Sequence, residues 1–259
     1  MAATGVSAIE GRHAVVTGGG RGIGAAIART LTAAGALVTV TGRGEQPLAE
    51  LVGSGGADGY VLADVTDEAA IQAAIEAAAA DRGPVDILVA NAGAAESAPF
   101  ARTDAALFRR MFDVNLMGVV HSVHAVLGPM VEAGGGRIVV IASTAGLTGY
   151  RYTSAYCAAK HAAIGLVRSL ALETARKGVT VNAVCPGFTD TDLVADSIAR
   201  IVEKTGMTAA QAEAELVKDN PQGRLVAPDE VADAVLWLCG PGAAAVTGQA
   251  IAVAGGEVM

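Results

Sequence analysis

Short runs of β-branched and other apolar residues alternate with Ala-rich helical segments from one end of the chain to the other. Residues 13–17, 37–41, 60–63, 86–90, 137–142, 180–185 and 250–253 read as strands. Residues 22–34, 67–82, 104–132, 153–176 and 228–238 read as helices between them. Breaker residues mark the ends: Gly35, Gly83-Pro84 and Gly178 stop three helices, and Pro228 with Asp229-Glu230 opens the last. Such alternation implies crossover connections, hence a parallel sheet with helices on both faces. Ile138-Val-Val-Ile-Ala142 is apolar throughout, as a strand covered on both faces should be. The expectation is α/β: one doubly wound domain over residues 1–259, with a parallel seven-stranded sheet and no linker. Residues 188–224 break the rhythm. They are polar and helix-prone, and an insertion beyond the sixth strand is expected to form a substrate lid.

Composition narrows the partners. A net charge of −8 without any basic block argues against a general binder of nucleic acid or anionic membrane. With only 3% aromatic residues, the chain has no stacking platform for bases. Residues 1–7 lack a basic region followed by an apolar core, so no signal peptide is read, and no apolar run is expected to approach the ~18–20 residues of a membrane span. Cys157, Cys185 and Cys239 are widely spaced and odd in number, which fits a reducing, cytoplasmic setting and no metal spacing. His121 and His124 are read as helix-packing residues, because no Cys or carboxylate completes a ligand set; no metal is expected.

The first strand runs into Thr17-Gly18-Gly-Gly-Arg21-Gly22-Ile23-Gly24 and then an Ala-rich helix. Glycines there let the backbone turn tightly and approach a pyrophosphate, while the helix N-terminus offers N–H groups and positive dipole. The spacing is Gly-x-x-x-Gly-x-Gly rather than the more widespread Gly-x-Gly-x-x-Gly. A dinucleotide is the expected ligand, in a Rossmann-type setting. The second strand ends Val40-Thr41-Gly42-Arg43, without the carboxylate that usually accepts from an NAD ribose. Arg43 and Arg21 could pair a 2′-phosphate, which favours NADP(H), and nearby Glu45 leaves NAD(H) open.

Tyr156 and Lys160 stand one helical turn apart on one face. An ammonium in that position is expected to pull the phenol pKa down, making Tyr156 a general acid/base for a carbonyl or alcohol oxygen.

With these motifs together, the chain resembles the short-chain dehydrogenase/reductase family over nearly its whole length. The resemblance rests on the glycine loop, Asp64-Val65, Asn91-Ala-Gly93, Asn115 in Val114-Asn-Leu-Met-Gly118 and Ser143 in Ile141-Ala-Ser-Thr-Ala-Gly146. It continues through Tyr156-x-x-x-Lys160, with Tyr156 thirteen residues after Ser143, and Pro186-Gly187 through Thr191. It implies an oxidoreductase in which Tyr156 exchanges a proton with the substrate oxygen and Ser143 holds that oxygen. It also implies that Lys160 binds the nicotinamide ribose and that Asn115 holds a water linking Lys160 to solvent. Cofactor contacts are implied for Gly18, Arg21, Gly22, Ile23, Gly24, Arg43, Asp64, Val65, Asn91, Gly93, Tyr156, Lys160, Pro186, Gly187, Thr189 and Thr191. Ala90 stands where the family often has a second Asn, and Thr189 replaces a commoner aliphatic residue, leaving that contact to its backbone.

Tyr156-Cys-Ala-Ala-Lys-His161, Ala183-Val-Cys-Pro-Gly-Phe188 and Gly240-Pro-Gly-Ala-Ala-Ala-Val-Thr-Gly-Gln249 look most like β-ketoacyl reductases. That implies a 3-oxoacyl thioester, on an acyl-carrier protein or coenzyme A, as substrate. The loops at 94–100, 147–153 and 188–224 match no subgroup clearly. A dehydrogenase of a cyclic or steroidal secondary alcohol therefore stays open, as does a non-catalytic dinucleotide-sensing scaffold. Leu107, Met111, Val119, Ile164 and Val167 read as apolar beyond one core stripe, and in the resembling family these helices form two-fold interfaces. A homotetramer is expected, with the C-terminal tail near a second interface.

Overall fold

All seven expected strands form, and each pairs with its neighbours in parallel. The computed structural model describes residues 9–259, so the reading of residues 1–7 lies outside the described residues. The strands are β1 (His13–Thr17), β2 (Leu37–Gly42), β3 (Gly59–Leu62), β4 (Ile87–Ala90), β5 (Gly136–Ile141), β6 (Val179–Pro186) and β7 (Ala250–Val253). Their order is β3-β2-β1-β4-β5-β6-β7. The chain runs outward from β1 to β3, then crosses back to β4 and builds the other half. That reversal opens a crevice at the carboxyl ends of β1 and β4, where open α/β sheets bind ligands.

Alternation along the strands feeds two cores. Val16, Val38, Val40, Val89, Val139, Ile141 and Val184 face one side, under α1 (Gly22–Ala33), α2 (Glu45–Gly53) and α9 (Pro228–Cys239). Val15, Leu88, Ile138, Val140, Val181 and Ala183 face the other, under α3 (Glu68–Arg82), α5 (Gly118–Glu132) and α6 (Ser154–Thr174). Hence the central strands are apolar at nearly every position: both faces are roofed by helices. Asp67 caps α3 by accepting from the Ala70 N–H at 3.0 Å, and Gly83 ends that helix at a φ of 86°. A positive φ there is costly for any residue with a Cβ.

Two expectations need correction and one refinement. The stretch 104–132 is helical throughout, as expected, but not regular: α4 (Ala105–Phe112) runs into α5 through a π-helical turn at Asp113–Met117. The same stretch, Ala105–Glu132, is long and apolar enough to span a membrane by length and composition, contrary to the expectation that no run approaches a span. Half of its apolar window is buried within the fold, where Val119, Val123, Val126 and Met130 pack on the sheet. Finally, Leu107, Met111, Val119, Ile164 and Val167 are not spare apolar surface: all are buried within one protomer. The apolar surface that remains includes Leu172, 85% exposed near the end of α6, and Trp237, 49% exposed on α9.

The helix-prone insertion forms α7 (Asp192–Thr205) and α8 (Ala209–Val217), the latter opened by a Thr208–Gln211 capping box. The helix α2, which sequence periodicity did not flag, begins after Gly44 and carries Pro47 in its first turn. Cys157, Cys185 and Cys239 are free and buried. The His121 ring Nδ1 lies 2.9 Å from the Val65 carbonyl, and His124 sits 3.4 Å from Glu68.

Candidate active site

The carboxyl ends of the central strands open into one cleft of about 1830 Å³. Every site residue anticipated from the sequence lines it, from Gly18 in the first loop to Thr191 before α7. The cleft has two halves with different chemistry.

The first half is built by the glycine loop. Gly24 packs so closely that a Cβ there would lie 2.3 Å from the Gly18 carbonyl oxygen and 2.5 Å from Asn91 Nδ2. Gly18 has a φ of 63°, which L side chains rarely adopt. Asn91 Nδ2 donates to the carbonyls of Thr17 (2.9 Å) and Gly18 (3.0 Å), so this side chain fixes the loop as well as lining the cleft. Arg21 occupies the N-cap of α1 without a side-chain cap, and the first turn carries no acid. The first N–H groups of α1 are thus open to an anion. A loop with no room for side chains, ending in an uncapped helix, fits a dinucleotide pyrophosphate.

Farther along, Asp64 accepts from the Thr66 N–H (3.0 Å) and hydroxyl (2.9 Å), and Arg43 stands 3.8 Å from its carboxylate. These contacts, the Thr66 N–H foremost, hold Asp64 below its usual pKa. The Arg43 side chain is 78% exposed. Glu45, a second acid near the β2 tip beside Asp64, accepts from the Tyr60 hydroxyl at 2.9 Å. Thr189 spends its hydroxyl on the Gly187 carbonyl (3.0 Å), and Thr191 spends its own on the Thr189 carbonyl (3.2 Å). The Thr189 hydroxyl hydrogen is thus engaged within the chain.

In the second half, α6 carries Tyr156 and Lys160 on one face, with Lys160 Nζ 5.7 Å from the Tyr156 ring centre. Lys160 is 4% exposed and donates to the Ile141 carbonyl at 2.8 Å. Burial pushes its ammonium down to about 8. Tyr156 is half-buried, and its desolvation drives its pKa up, with the Ser143 hydroxyl pulling against that rise. The expectation that Lys160 lowers the phenol is thus not met by the protein alone. Desolvation sets the direction, and the Lys160 ammonium points at the Ile141 carbonyl rather than at the phenol oxygen. Ser143 stands at the end of β5 and accepts from the Ala145 N–H at 3.1 Å.

Asn115 is fully buried in the π turn. A π turn displaces the usual i→i−4 bonds, and within it Asn115 Nδ2 donates to the Met111 carbonyl at 3.0 Å. It also donates to the Ala94 carbonyl (2.9 Å), while its Oδ1 accepts from the Ala94 N–H (3.3 Å). A Cβ on Gly93 would sit 2.9 Å from Asn115 Oδ1 and 3.6 Å from Lys160 Nζ, so these three residues meet at one point.

Sequence reasoning missed several lining residues. Tyr150 stacks edge-on against Phe188 at 6.1 Å between ring centres. Its hydroxyl donates to Glu257 at 2.5 Å and lies 2.8 Å from the Thr144 hydroxyl. Glu96 pairs with Arg110 at 3.1 Å, tying the loop after β4 to α4. Tyr150 falls in a loop flagged as substrate-facing, but nothing in sequence brings residue 257 to it.

Residues 12–201 match the short chain dehydrogenase family. A protein of Streptomyces coelicolor named as a ketoacyl reductase is 42% identical over 250 residues, covering 94% of this chain and 95% of that one. The cis-4-hydroxycyclohexanecarboxylate dehydrogenase of Sinomonas cyclohexanicum is 41% identical, with 95% and 96% covered. A tryptophan variant of actinorhodin polyketide ketoreductase, solved with NADPH, superposes with a TM-score of 0.91 at 40% identity, covering 95% of this chain and 97% of that one.

Proposed function

The chain belongs to the short-chain dehydrogenase family and is an oxidoreductase, and from that premise we propose that it interconverts a ketone and a secondary alcohol at Tyr156. The observation that carries this is a half-buried phenol facing the Ser143 hydroxyl, one turn from a buried lysine, in a cleft shared with an open glycine loop. In the reduction direction Tyr156 donates its proton to the substrate oxygen, and Ser143 hydrogen-bonds the same oxygen and fixes its place. A phenol raised by burial stays protonated, which suits a donor at neutral pH. Lys160 supplies positive charge beside the phenol as its proton leaves, and its remaining donors would hold the ribose hydroxyls of a bound nicotinamide. Asn115 holds the loop at Ala94 against α4 and so fixes the Lys160 end of the cleft; a water there would carry the replacement proton.

Gly18, Gly22, Ile23, Gly24 and the α1 N-terminus hold the pyrophosphate in this reading, Asp64, Val65 and Asn91 the adenosine half, and Gly93, Pro186, Gly187, Thr189 and Thr191 the nicotinamide half. The dinucleotide, when bound, supplies or accepts the hydride. NADP(H) is favoured: Arg43 is exposed at the β2 tip, where its guanidinium would meet a 2′-phosphate. Arg21, which lines the same cleft, would assist.

The preferred substrate is a 3-oxoacyl thioester, by likeness to the ketoacyl and polyketide reductases. A cyclic secondary alcohol is the second reading. The hydroxycyclohexanecarboxylate relative and the Tyr150–Phe188 aromatic pair beside the cleft favour it. The segment 188–224, with α7 lining the cleft, would act as the lid. Half-exposed Trp237 and exposed Leu172 support assembly through helix faces into a homotetramer, and three free buried thiols suit the cytoplasm.

Tyr156→Phe tests the mechanism. Turnover of a 3-oxo ester with NADPH should fall by about 10²–10⁴-fold, while coenzyme still binds by fluorescence titration. Near-normal turnover would sink the assignment of Tyr156.

A further inference from the structure

A carboxylate reaches the substrate side of the cleft from the far end of the chain. Glu257 follows β7 by a tight turn, its N–H donating to the Ala254 carbonyl at 3.1 Å. Its Oε1 accepts the Tyr150 hydroxyl at 2.5 Å, and the same phenol lies 2.8 Å from Thr144, the residue next to Ser143. Its Oε2 hangs over Gly187, where a Cβ would stand only 2.9 Å away. Glycine at 187 therefore makes the room that the carboxylate occupies.

Glu257 differs from the paired acids of the cleft by its charge and from the unpaired ones by its place. Asp64 has Arg43, Glu96 has Arg110 and Glu215 has Lys218, but Glu257, like Asp113, Asp192, Asp196 and Asp219, has no cationic partner among the described residues, and it is tied through Tyr150 to the residue next to Ser143. Its one side-chain bond there is to a phenol. Burial and the Glu257 carboxylate both drive Tyr150 well above an ordinary tyrosine pKa, so the phenol stays neutral and cancels no charge. Edge-on contact with Phe188 holds the ring in place. Oε2 accepts no hydrogen bond from the described residues, which leaves it available to a donor.

We propose that Glu257 sets the charge selectivity of the substrate pocket, disfavouring ketones that carry a carboxylate near the carbonyl and favouring neutral ketones that bear a hydroxyl or phenol. It acts as a specificity-determining residue, and Tyr150 as its positioning residue. An anionic substrate group would meet an uncancelled charge in a partly desolvated cleft, where like charges repel strongly. A hydroxyl would instead find a charged acceptor already aimed.

The inference rests on the ketone reading above, and the test separates the two. Acetoacetate and 4-oxocyclohexanecarboxylate are each compared with their methyl esters, using NADPH and NADH, in wild type, Glu257→Gln and Tyr150→Phe. Wild type should prefer both esters, and the ester-to-acid ratio of kcat/KM should fall by roughly tenfold or more in Glu257→Gln. Tyr150→Phe, which keeps the charge, should keep the preference. If Glu257→Gln reduces the esters but its ratio stays within twofold of wild type, the charge proposal is overturned and the ketone reading stands. If wild type reduces none of the four, the ketone reading falls and takes this inference with it. Should Glu257→Gln not fold, Glu257→Met, neutral and similar in length, carries the same comparison.

Discussion

Replacing Lys160 by Met should relieve the free protein of a burial cost while removing its activity, and the relief should fade as pH rises. Lys160 is 4% exposed, has no carboxylate partner among the described residues, and makes one hydrogen bond, to the Ile141 carbonyl. Burial lowers its pKa from 10.5 to about 8. At about 1.4 kcal/mol per pH unit, keeping that ammonium charged in the fold costs about 3 kcal/mol. Methionine removes the charge but orphans the Ile141 carbonyl, which costs about 1–3 kcal/mol. The net at pH 7 is therefore a gain of about 0–2 kcal/mol. The pH dependence is the sharper test. Between about pH 8 and 10.5 the unfolded chain still holds the Lys160 proton and the folded one does not. Stability rises with pH wherever the unfolded state binds more protons. Wild type should then gain on Lys160→Met through that window, by about 3 kcal/mol in all. Urea unfolding of both proteins without coenzyme, at equal protomer concentration and at pH 7 and 10, measures it. A gap that stays flat, or wild type losing ground as pH rises, would refute the reading of Lys160 as a buried, uncompensated cation.

Coenzyme choice is tested at the β2 tip: Arg43→Ala should lower the NADPH-to-NADH ratio of kcat/KM by about tenfold, the scale of one lost charge-assisted contact. A wild type that prefers NADH, or a ratio the substitution leaves alone, overturns the preference for NADP(H). Gly24→Ala places a Cβ 2.3 Å from the Gly18 carbonyl oxygen, so the glycine loop must shift. Overpacking of this kind costs about 1–3 kcal/mol, and it should appear both as a lower melting temperature and as weaker coenzyme binding in calorimetry. Unchanged binding would mean that the loop's tight packing does not serve the dinucleotide.

The parts of the fold that sequence made legible are those governed by short-range periodicity. Strands β1 and β7 have the bounds expected, and the remaining five differ by a residue or so at their ends. Runs such as Ile138-Val-Val-Ile announce strands because both faces are covered and nothing interrupts them. That the anticipated residues would share one cleft was legible for a related reason: most sit at the end of a strand or on the first turns of a helix, at a fixed distance from a recognisable run. The π turn was not legible, because Asn115 and the Met111 carbonyl look like any helix interior until the Ala94 backbone is seen beside them. Helix α2 was hidden by Gly44 and Pro47, both of which read as loop residues. Burial of Leu107 and Ile164 depended on which helices pack face to face, and periodicity on one helix does not carry that information. Glu257 is the extreme case, 107 residues from Tyr150 in sequence and hydrogen-bonded to it in the fold.

The costs in this structure gather at one end of the sheet. Lys160 is buried without a counter-charge, α1 begins without a side-chain cap, and Gly18 and Gly24 leave no room for side chains. Tyr152 carries a φ of 68°, a left-handed conformation unusual for a tyrosine, while its carbonyl accepts from the Ala98 N–H at 2.7 Å and joins the two loops over the cleft. Each feature alone would weaken a small domain, and strain of this kind persists only where the surroundings over-determine it. Here the surroundings are two apolar cores, one on each face of a seven-stranded sheet, whose central strands are buried at nearly every position. Substitutions that improve packing beneath the amino ends of the strands should therefore add stability without touching the cleft. Substitutions that relieve the carboxyl end should gain stability and lose catalysis together, and Lys160→Met is the sharpest instance because a single ammonium accounts for both.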